Sequence, residues 1–464
     1  MSGEHRHTAA LVATFGLATF ASAGERPAFQ TLRFDEDWSE YEASGEDLWD
    51  PIKHVNLNED GSDWASFGGE LRLRGEYWEN YGFDGAAAND NDLVLGRALF
   101  HGDFHFGSQV RLFVEGRSAL VTDRDLPGGR RTIDEDTIGV QNAFGEIIVN
   151  VDDTTTLTWR VGRQELEFGS GRLVGPDAWT NTARSWDAAR VELKSGGWRI
   201  DGFYSRYAGV KKYEFNDWHT GPTFYGVYAS GEPGGGIHVD GYWFALDRRT
   251  AAFNGSSGQE DRHTLGARVW GAVPDTGFGY DAEGAYQFGE VGGADVSASM
   301  FAAEAGYTFG GSAARPRVYV GFDWASGDGT AGDGDAETFN QLFPDGHQFL
   351  GSMDFVGRQN IMAVSVGGVC HPREDWTVTL DGHWFRLDDT GDGLYDAQGG
   401  VVRPGGLSTS SDVGQEIDVT AAYRLNVHTT IEGGFGYFFA GEFLDESGGG
   451  KDMQWVYLQG VYRF

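Results

Sequence analysis

From residue 64 onward, apolar and polar positions trade places at every second residue. In GGELRLRGEYW (68–78), Glu70, Arg72, Arg74 and Glu76 fall on one face and Leu71, Leu73, Gly75 and Tyr77 on the other. VRLFVEGR (110–117) sets Arg111, Phe113, Glu115 and Arg117 against Val110, Leu112, Val114 and Gly116. The same alternation runs through YDAEGAYQF (280–288) and RVYVGFDW (317–324). A period of two belongs to a strand with two unlike faces. About eighteen such segments can be placed, each roughly the 9–11 residues, or slightly more, that a tilted strand needs to cross a bilayer. They begin near 65, 92, 108, 138, 156, 187, 198, 223, 237, 262, 278, 298, 316, 357, 375, 413, 429 and 452.

Connections between the segments alternate in length. Short ones include 107, 152–155, 195–197, 273–277, 371–375 and 426–428; long ones cover about 80–91, 121–137, 169–186, 208–222, 248–261, 327–356 and 387–412. This asymmetry predicts an all-β chain forming a transmembrane antiparallel β-barrel of about 18 strands, with short periplasmic turns and long extracellular loops. An even count puts both ends of the barrel on the short-turn side. The final stretch, WVYLQGVYRF (455–464), carries Phe464, Tyr462, Gly460, Leu458 and Val456 on one apolar face. It is expected to face lipid and to pair with the first strand, because an open edge in hydrocarbon leaves backbone groups unsatisfied.

Composition agrees with strands and turns. Glycine is abundant at 72, proline scarce at 11, and aromatics reach 14%. Mean hydropathy is -0.39 and no run of 18 apolar residues occurs, which excludes a bundle of membrane helices but not a barrel. A net charge of -35 argues against nucleic acid as a partner, since that needs a basic footprint. The one cysteine, Cys370, permits no internal disulfide and no cysteine metal site. At the start, TAALVATFGLATF (8–20) followed by ASA (21–23) reads as a secretory signal cleaved after Ala23. The expected organisation is a signal peptide at 1–23, a periplasmic lead-in at 24–63 and an outer-membrane barrel at 64–464 of a Gram-negative bacterium. The acidic lead-in either tucks into the pore mouth or is a disordered exported terminus.

GRQELEFGSGRLVGPDAWTNTARSWDAAR (162–190) resembles the alginate-export family of outer-membrane porins, through Gly162, Arg163, Gln164, Leu166, Gly169, Arg172, Gly175, Trp179, Asn181, Trp186, Asp187 and Arg190. SGDGTAGDGDAETFNQLFPDGHQFLGSMDFVGRQN (326–360) is similar to a second family block, and RFDEDWS (33–39) with FGGELRLRGEYWENYG (67–82) to a third. The three blocks keep their order over most of the chain. Trp186 stands where phenylalanine is commoner in the family, and HVNL (54–57) where a more apolar run is usual. The terminal Phe464 also looks like the aromatic by which many outer-membrane proteins are recognised for assembly. The resemblance implies a passive channel for an anionic polysaccharide or oligosaccharide, an alginate-like polyuronate, with a general porin for small anions or sugars as the alternative.

A polyuronate carries one carboxylate per sugar, so its pore needs cations in a narrow passage, with acids nearby to keep each contact weak. Arginine suits this because it stays charged and its planar fork matches a carboxylate. Arg72, Arg74, Arg111, Arg117, Arg190, Arg206, Arg268 and Arg386 fall on inferred lumen faces, with Glu70 and Glu115 beside them. The family blocks add Arg163 and Arg358. The same pattern would also arise from ion pairs that stiffen a wide polar barrel. Arg160 and Arg163 are three apart, so a regular strand aims Arg160 inward and Arg163 outward. A bulge near Gly162 would return Arg163 to the lumen; without one, Arg163 must sit near the membrane interface.

Asp388, Asp392 and Asp396 roughly follow the oxygen spacing of a calcium loop, although no glutamate stands at its twelfth position. A structural calcium in the outer loops is thus a candidate, against a plain solvated loop, and no other cofactor is expected. Trp243, Trp270, Trp324, Trp384, Tyr437 and Phe438 are expected mainly as interfacial girdle residues, a few lining the lumen. His219, His263 and His347 fall in outer loops, but no nucleophile elbow flanks them, so no enzyme activity is expected. Expected partners are the polysaccharide, outer-membrane lipid and lipopolysaccharide, and periplasmic export or uptake proteins around a monomer.

Overall fold

The computed structural model describes residues 26–464 except 44, 46, 86–88 and 218–220. The signal segment 1–23 and His219 lie outside the described residues. Eighteen strands form the wall, numbered here in chain order. They are β1 Asp63–Glu79, β2 Asn91–Phe106, β3 Val110–Thr122, β4 Asp136–Asp152, β5 Thr155–Gln164 and β6 Trp186–Ser195. Next come β7 Trp198–Tyr207, β8 Thr223–Gly234, β9 Ile237–Phe253, β10 Ser256–Ala272, β11 Phe278–Val291 and β12 Ala294–Thr308. The circuit ends with β13 Arg317–Ala325, β14 Ile361–Cys370, β15 Trp376–Arg386, β16 Asp412–Arg424, β17 Thr429–Ala440 and β18 Met453–Arg463. Each strand pairs antiparallel with its sequence neighbours. β1 then pairs with β18 over Glu70 opposite Arg463 to Glu79 opposite Gln454, which closes the sheet. Closure satisfies every edge, the condition for strands in hydrocarbon.

The two faces separate as the alternation predicts. Leu71, Leu73 and Tyr77 of β1 are exposed on the outer wall, whereas Arg72 and Arg74 are buried inside. On β18, Val456 and Leu458 point out while Tyr457 and Gln459 point in. Phe464 departs from the expectation of a bare lipid-facing ring. It is buried beneath Trp49 of the lead-in, the two rings stacked 4.0 Å apart. Of the six aromatics singled out above, Phe438 is buried inside, and Trp270 turns inward to donate to Asp240. Trp243, Trp324, Trp384 and Tyr437 occupy outward positions of their strands.

The expected long loop at 248–261 is instead strand. β9 and β10 continue to a two-residue turn, Asn254 and Gly255, with Phe253 opposite Ser256. Asn-Gly is a strong hairpin turn, and Gly255 takes the positive φ of +85° that it needs. A strand that projects beyond the bilayer requires no apolar outer face, so its polar sequence reads as loop. β11 and β12 likewise meet at Gly292 and Gly293.

Long loops at the other connections fold into the barrel. Phe168 of the 165–185 loop stacks on the wall residues Phe203 at 5.0 Å and Tyr228 at 5.2 Å. Phe343 of the 326–360 loop packs against Trp186 at 4.6 Å and Phe224 at 5.2 Å. Aromatic side chains on inward positions of β6 to β9 thus give these loops an apolar bed inside the barrel.

The lead-in packs at the short-turn end. Trp38, Tyr41 and Trp64 form a small core there. Buried Lys53 donates to the Phe67 carbonyl oxygen at 2.9 Å and sits 4.5 Å from the Trp38 ring. Burial pulls the Lys53 ammonium from 10.5 down to about 7. A lysine whose pKa is lower when docked holds fewer protons docked than free, so docking strengthens as pH rises above about 7. Protection factors of the lead-in amides, which correct for the faster intrinsic exchange at high pH, should therefore rise between neutral and alkaline pH, and Lys53→Met should flatten that dependence.

Candidate functional site

Inward parity on three adjacent strands selects Glu70, Arg72, Arg74 and Glu76 on β1, Arg97 on β2 and Arg117 on β3. Register places Arg72 directly opposite Arg97. Like charges in that relation repel, so both need acceptors. Glu70 supplies some, taking Arg97 at 2.6 Å and Arg463 at 2.9 Å. The rest come from the inward 165–185 loop. Arg72 donates to the carbonyl oxygens of Ala178 at 3.1 Å and Thr180 at 2.8 Å. Arg97 donates to the same two at 2.9 and 3.0 Å. Arg74 takes the Trp179 carbonyl at 3.0 Å, its guanidinium carbon 4.0 Å from the Trp179 ring. Arg117 takes Ala183 O at 2.6 Å and Asp136 at 2.5 Å. Asn181 completes the attachment by donating to the carbonyls of Gly96, Leu120 and Asp134. Four guanidiniums therefore draw residues 178–183 onto the wall.

Further round the barrel, Arg268 pairs with Asp240 and Asp281. Arg172 of the inward loop bonds Glu283 at 2.5 Å and Asp281 at 3.4 Å. Arg358 bonds Asp323 at 2.7 Å and also donates to the Arg172 carbonyl at 3.2 Å, joining the two inward loops. Nearer the short-turn end, Arg111 pairs with Asp103 and Glu146, and Arg190 with Asp201 and Glu192. Glu115 accepts from Asn142 at 2.8 Å.

Three arginines expected in the lumen are not there. Gly162 has φ +133°, but β5 keeps its register with β4 through Arg163, so no bulge intervenes. Arg163 stays on the outer face and pairs with Asp187 at 2.8 Å. Arg206 lies two residues beyond the exposed Tyr204 and opposite Asp187, hence on the same outer row. Arg386 lies two beyond the exposed Trp384 and is itself exposed. All three stand at strand ends on the long-loop side, where an outward arginine near the interface costs least. Runs such as SRYAG and WFRLDD offer no apolar partner on the far side of the strand end to reveal this.

Conversely, Arg97, Arg160, Arg172, Arg199 and Arg262 reach the interior. Both faces of LVLGRALF (93–100) are apolar, so alternation gives no direction for Arg97, whereas it does predict the inward direction of Arg160. Arg172 and its partners required the loop's path. Asp388, Asp392 and Asp396 are not brought together. Asp388 accepts from Trp324 and Gly327, Asp392 from Thr338, Tyr395, Gly393 and Asp328, and Asp396 from Gln398 and Gly400. Among the described residues no three metal-ligating side chains converge. Asp396 caps a local turn, whereas Asp388 and Asp392 tie their loop to residues 324–338.

Carboxyls carried inward by the loops hold their protons unusually well. Glu165 is pushed up to about 8 by burial and by nearby Glu115, both accepting from Asn142 at 2.8 Å. Asp345 is raised to about 7 by burial and Asp177, and Glu167 to about 7 by burial and Asp345. His347, stacked 3.8 Å from Trp179, is raised above its usual value despite burial because Asp354 bonds it at 3.1 Å. Carboxyls so raised carry less negative charge near neutral pH, which lessens the repulsion an anion would meet.

A family profile described as Alginate export matches residues 63–457. No curated protein sequence matches the chain. Among solved structures, OpdQ of Pseudomonas aeruginosa is similar at 12% identity and TM-score 0.57, covering 88% of this chain and 99% of its own. OccK3 (OpdO) of the same organism is similar at 12% and 0.56, covering 88% and 97%. The outer membrane protein OprD from that organism is similar at 13% and 0.52, covering 86% and 94%. At such identities the likeness is one of fold, that of an outer-membrane porin.

Proposed function

The chain belongs to the alginate-export family of outer-membrane channels, and from that premise we propose that it passes an anionic polysaccharide or oligosaccharide of the polyuronate class. The lead-in would face the periplasm after cleavage near Ala23. One observation carries the reading: Arg72 gives its bonds to neutral acceptors of the inward loop, and Arg74 and Arg97, each also paired with a wall carboxylate (Glu76 and Glu70), give others to carbonyls of the same loop. A guanidinium bonds a carboxylate more strongly than a carbonyl, and in fork geometry. A uronate chain can therefore exchange with residues 178–180 at these arginines, displacing the loop as it enters. Once the sugar leaves, the carbonyls return and the passage closes. Such exchange favours an anionic chain over a neutral one of equal girth.

The second reading is a general porin for small anions or sugars. It is favoured by the wall carboxylates beside the lumen arginines, which leave little unpaired charge to select a polymer. Recordings in planar bilayers separate the two. Oligouronates should interrupt the chloride current at concentrations where neutral oligosaccharides of equal length do not. Equal interruption by both sugars would overturn the polyuronate reading in favour of the general porin.

A further inference from the structure

The lead-in enters the lumen at the short-turn end. Residues Arg33–Asp35 form a 3₁₀ turn whose Leu32 and Phe34 are buried against the wall residues Phe113 and Phe144. Phe34 meets the Phe113 ring at 5.8 Å and the Phe144 ring at 5.3 Å, both edge-on. Arg111 donates to the Phe34 carbonyl at 2.6 Å, and the Arg160 guanidinium lies 4.5 Å from the Phe34 ring. On the other side of the turn, buried Arg33 bonds Glu36 at 2.5 Å, Gly69 O at 2.8 Å and Phe464 O at 3.1 Å. The turn is thus clamped to inward positions of β3 to β5 and to the β1–β18 junction.

Between these anchors stands Asp35, exposed while its neighbours Phe34 and Glu36 are buried. It lies within electrostatic reach of Arg111, Arg160 and Arg199. The lower wall around it carries five cations, Arg111, Arg160, Arg190, Lys194 and Arg199, joined by ion pairs to only four carboxylates, Asp103, Glu146, Glu192 and Asp201. Asp35 brings a further carboxylate within electrostatic reach of this ring, beside Glu167, whose carboxyl is raised to about 7.

We propose that this lower basic ring is a second carboxylate-binding site of the channel and that the chain fills it with its own Asp35, the turn at Leu32–Glu36 acting as a built-in competitor for the cargo's carboxylates. The proposal rests on the anion-channel reading. Phe34 and Leu32 hold the competitor by apolar contact rather than by charge, so a passing polyanion displaces Asp35 without having to break a dedicated ion pair. Removal of the turn exposes the ring's surplus cation and clears the short-turn mouth.

The experiment reads ion flow in potassium chloride, without any sugar. Full-length Phe34→Cys/Phe144→Cys in a Cys370→Ser, Arg72→Lys/Arg97→Lys background, where residues 178–183 are loosened from the wall and the lumen charge is kept, can be locked by oxidation and freed by reduction. The expected result is a single-channel conductance several-fold higher in the reduced state than in the oxidised one, reversible within one recording. Equal conductance in the two redox states would overturn the proposal. Asp35→Asn, a change at an exposed residue that leaves the packing intact, should shift the reversal potential toward stronger anion preference; an unaltered reversal potential would also overturn it. Oligouronate added to the reduced channel then tests the cargo separately: indifference to uronate with redox-gated conductance would sink the polyuronate reading and leave the plug standing.

Discussion

Arg72→Met combined with Arg97→Met will open the channel and make it less selective. The two guanidiniums share the carbonyls of Ala178 and Thr180, so either one alone can hold the loop. Losing both removes these four bonds from those carbonyls, and bonds from a charged donor contribute about 1.5–3 kcal/mol each. Arg117, Asn181 and the aromatic contacts of Trp179 still tether the neighbouring residues, so the loop should loosen from its wall rather than unfold. Single-channel conductance should rise several-fold, and anion preference should fall because two lumen cations are gone. Arg72→Lys/Arg97→Lys separates the effects. Each lysine keeps its charge but not the fork that spans two carbonyls. Conductance should then rise while anion preference stays. If the methionine pair leaves conductance at the wild-type level, residues 178–183 do not close the passage.

Strand positions could be read directly from residues because lipid and lumen impose opposite demands on alternate side chains. Leu71 and Arg72, or Leu112 and Phe113 beside Arg111, declare their directions over a whole strand. That signal fades where the membrane ends. Arg163, Arg206 and Arg386 occupy outward positions near the long-loop rim, where charge is tolerated on either face. The hairpin across Asn254 and Gly255 escaped for the same reason, its outer face being bathed in water.

Legibility of the site was lower still. The inward paths of residues 165–185 and 326–360 depend on an apolar bed formed by Phe203, Phe224, Tyr228 and Phe244, which come from three different strands. Nothing local in either loop announces that partner. Alternation sets Arg72, Arg74 and Arg117 on the correct face, yet Arg72 and Arg74 bond backbone carbonyls 105–108 residues away in the chain, and Arg117 reaches the Ala183 carbonyl 66 residues on. A side-chain pattern cannot reveal such acceptors, since every residue has a carbonyl. The lead-in differs again. Its route into the lumen is one of two readings of an acidic, non-periodic segment, which carries no local sign that Phe34 packs against Phe113 of the wall.

The wall itself predicts the largest loss of stability. Leu458 is 63% exposed on β18, opposite Gly75 of β1 and Gly433 of β17. With no side chain on either flank, an arginine there has nothing to pair with and only lipid to meet. Leu458 stands midway along β18, so Leu458→Arg should cost about 2–4 kcal/mol, as for an arginine at mid-bilayer, rather than the about 0–1 kcal/mol of an interface. Arg386→Leu, at the exposed end of β15, supplies the contrast and should change stability by no more than the interfacial amount. Equilibrium unfolding in urea from lipid vesicles measures both. Because β18 closes the sheet against β1, the Leu458 variant should also slow insertion, whereas the Arg386 variant should insert at the normal rate. Equal and small effects at the two sites would mean that the outer face of β18 does not meet hydrocarbon, and the closed wall on which the channel depends would lose its solvent.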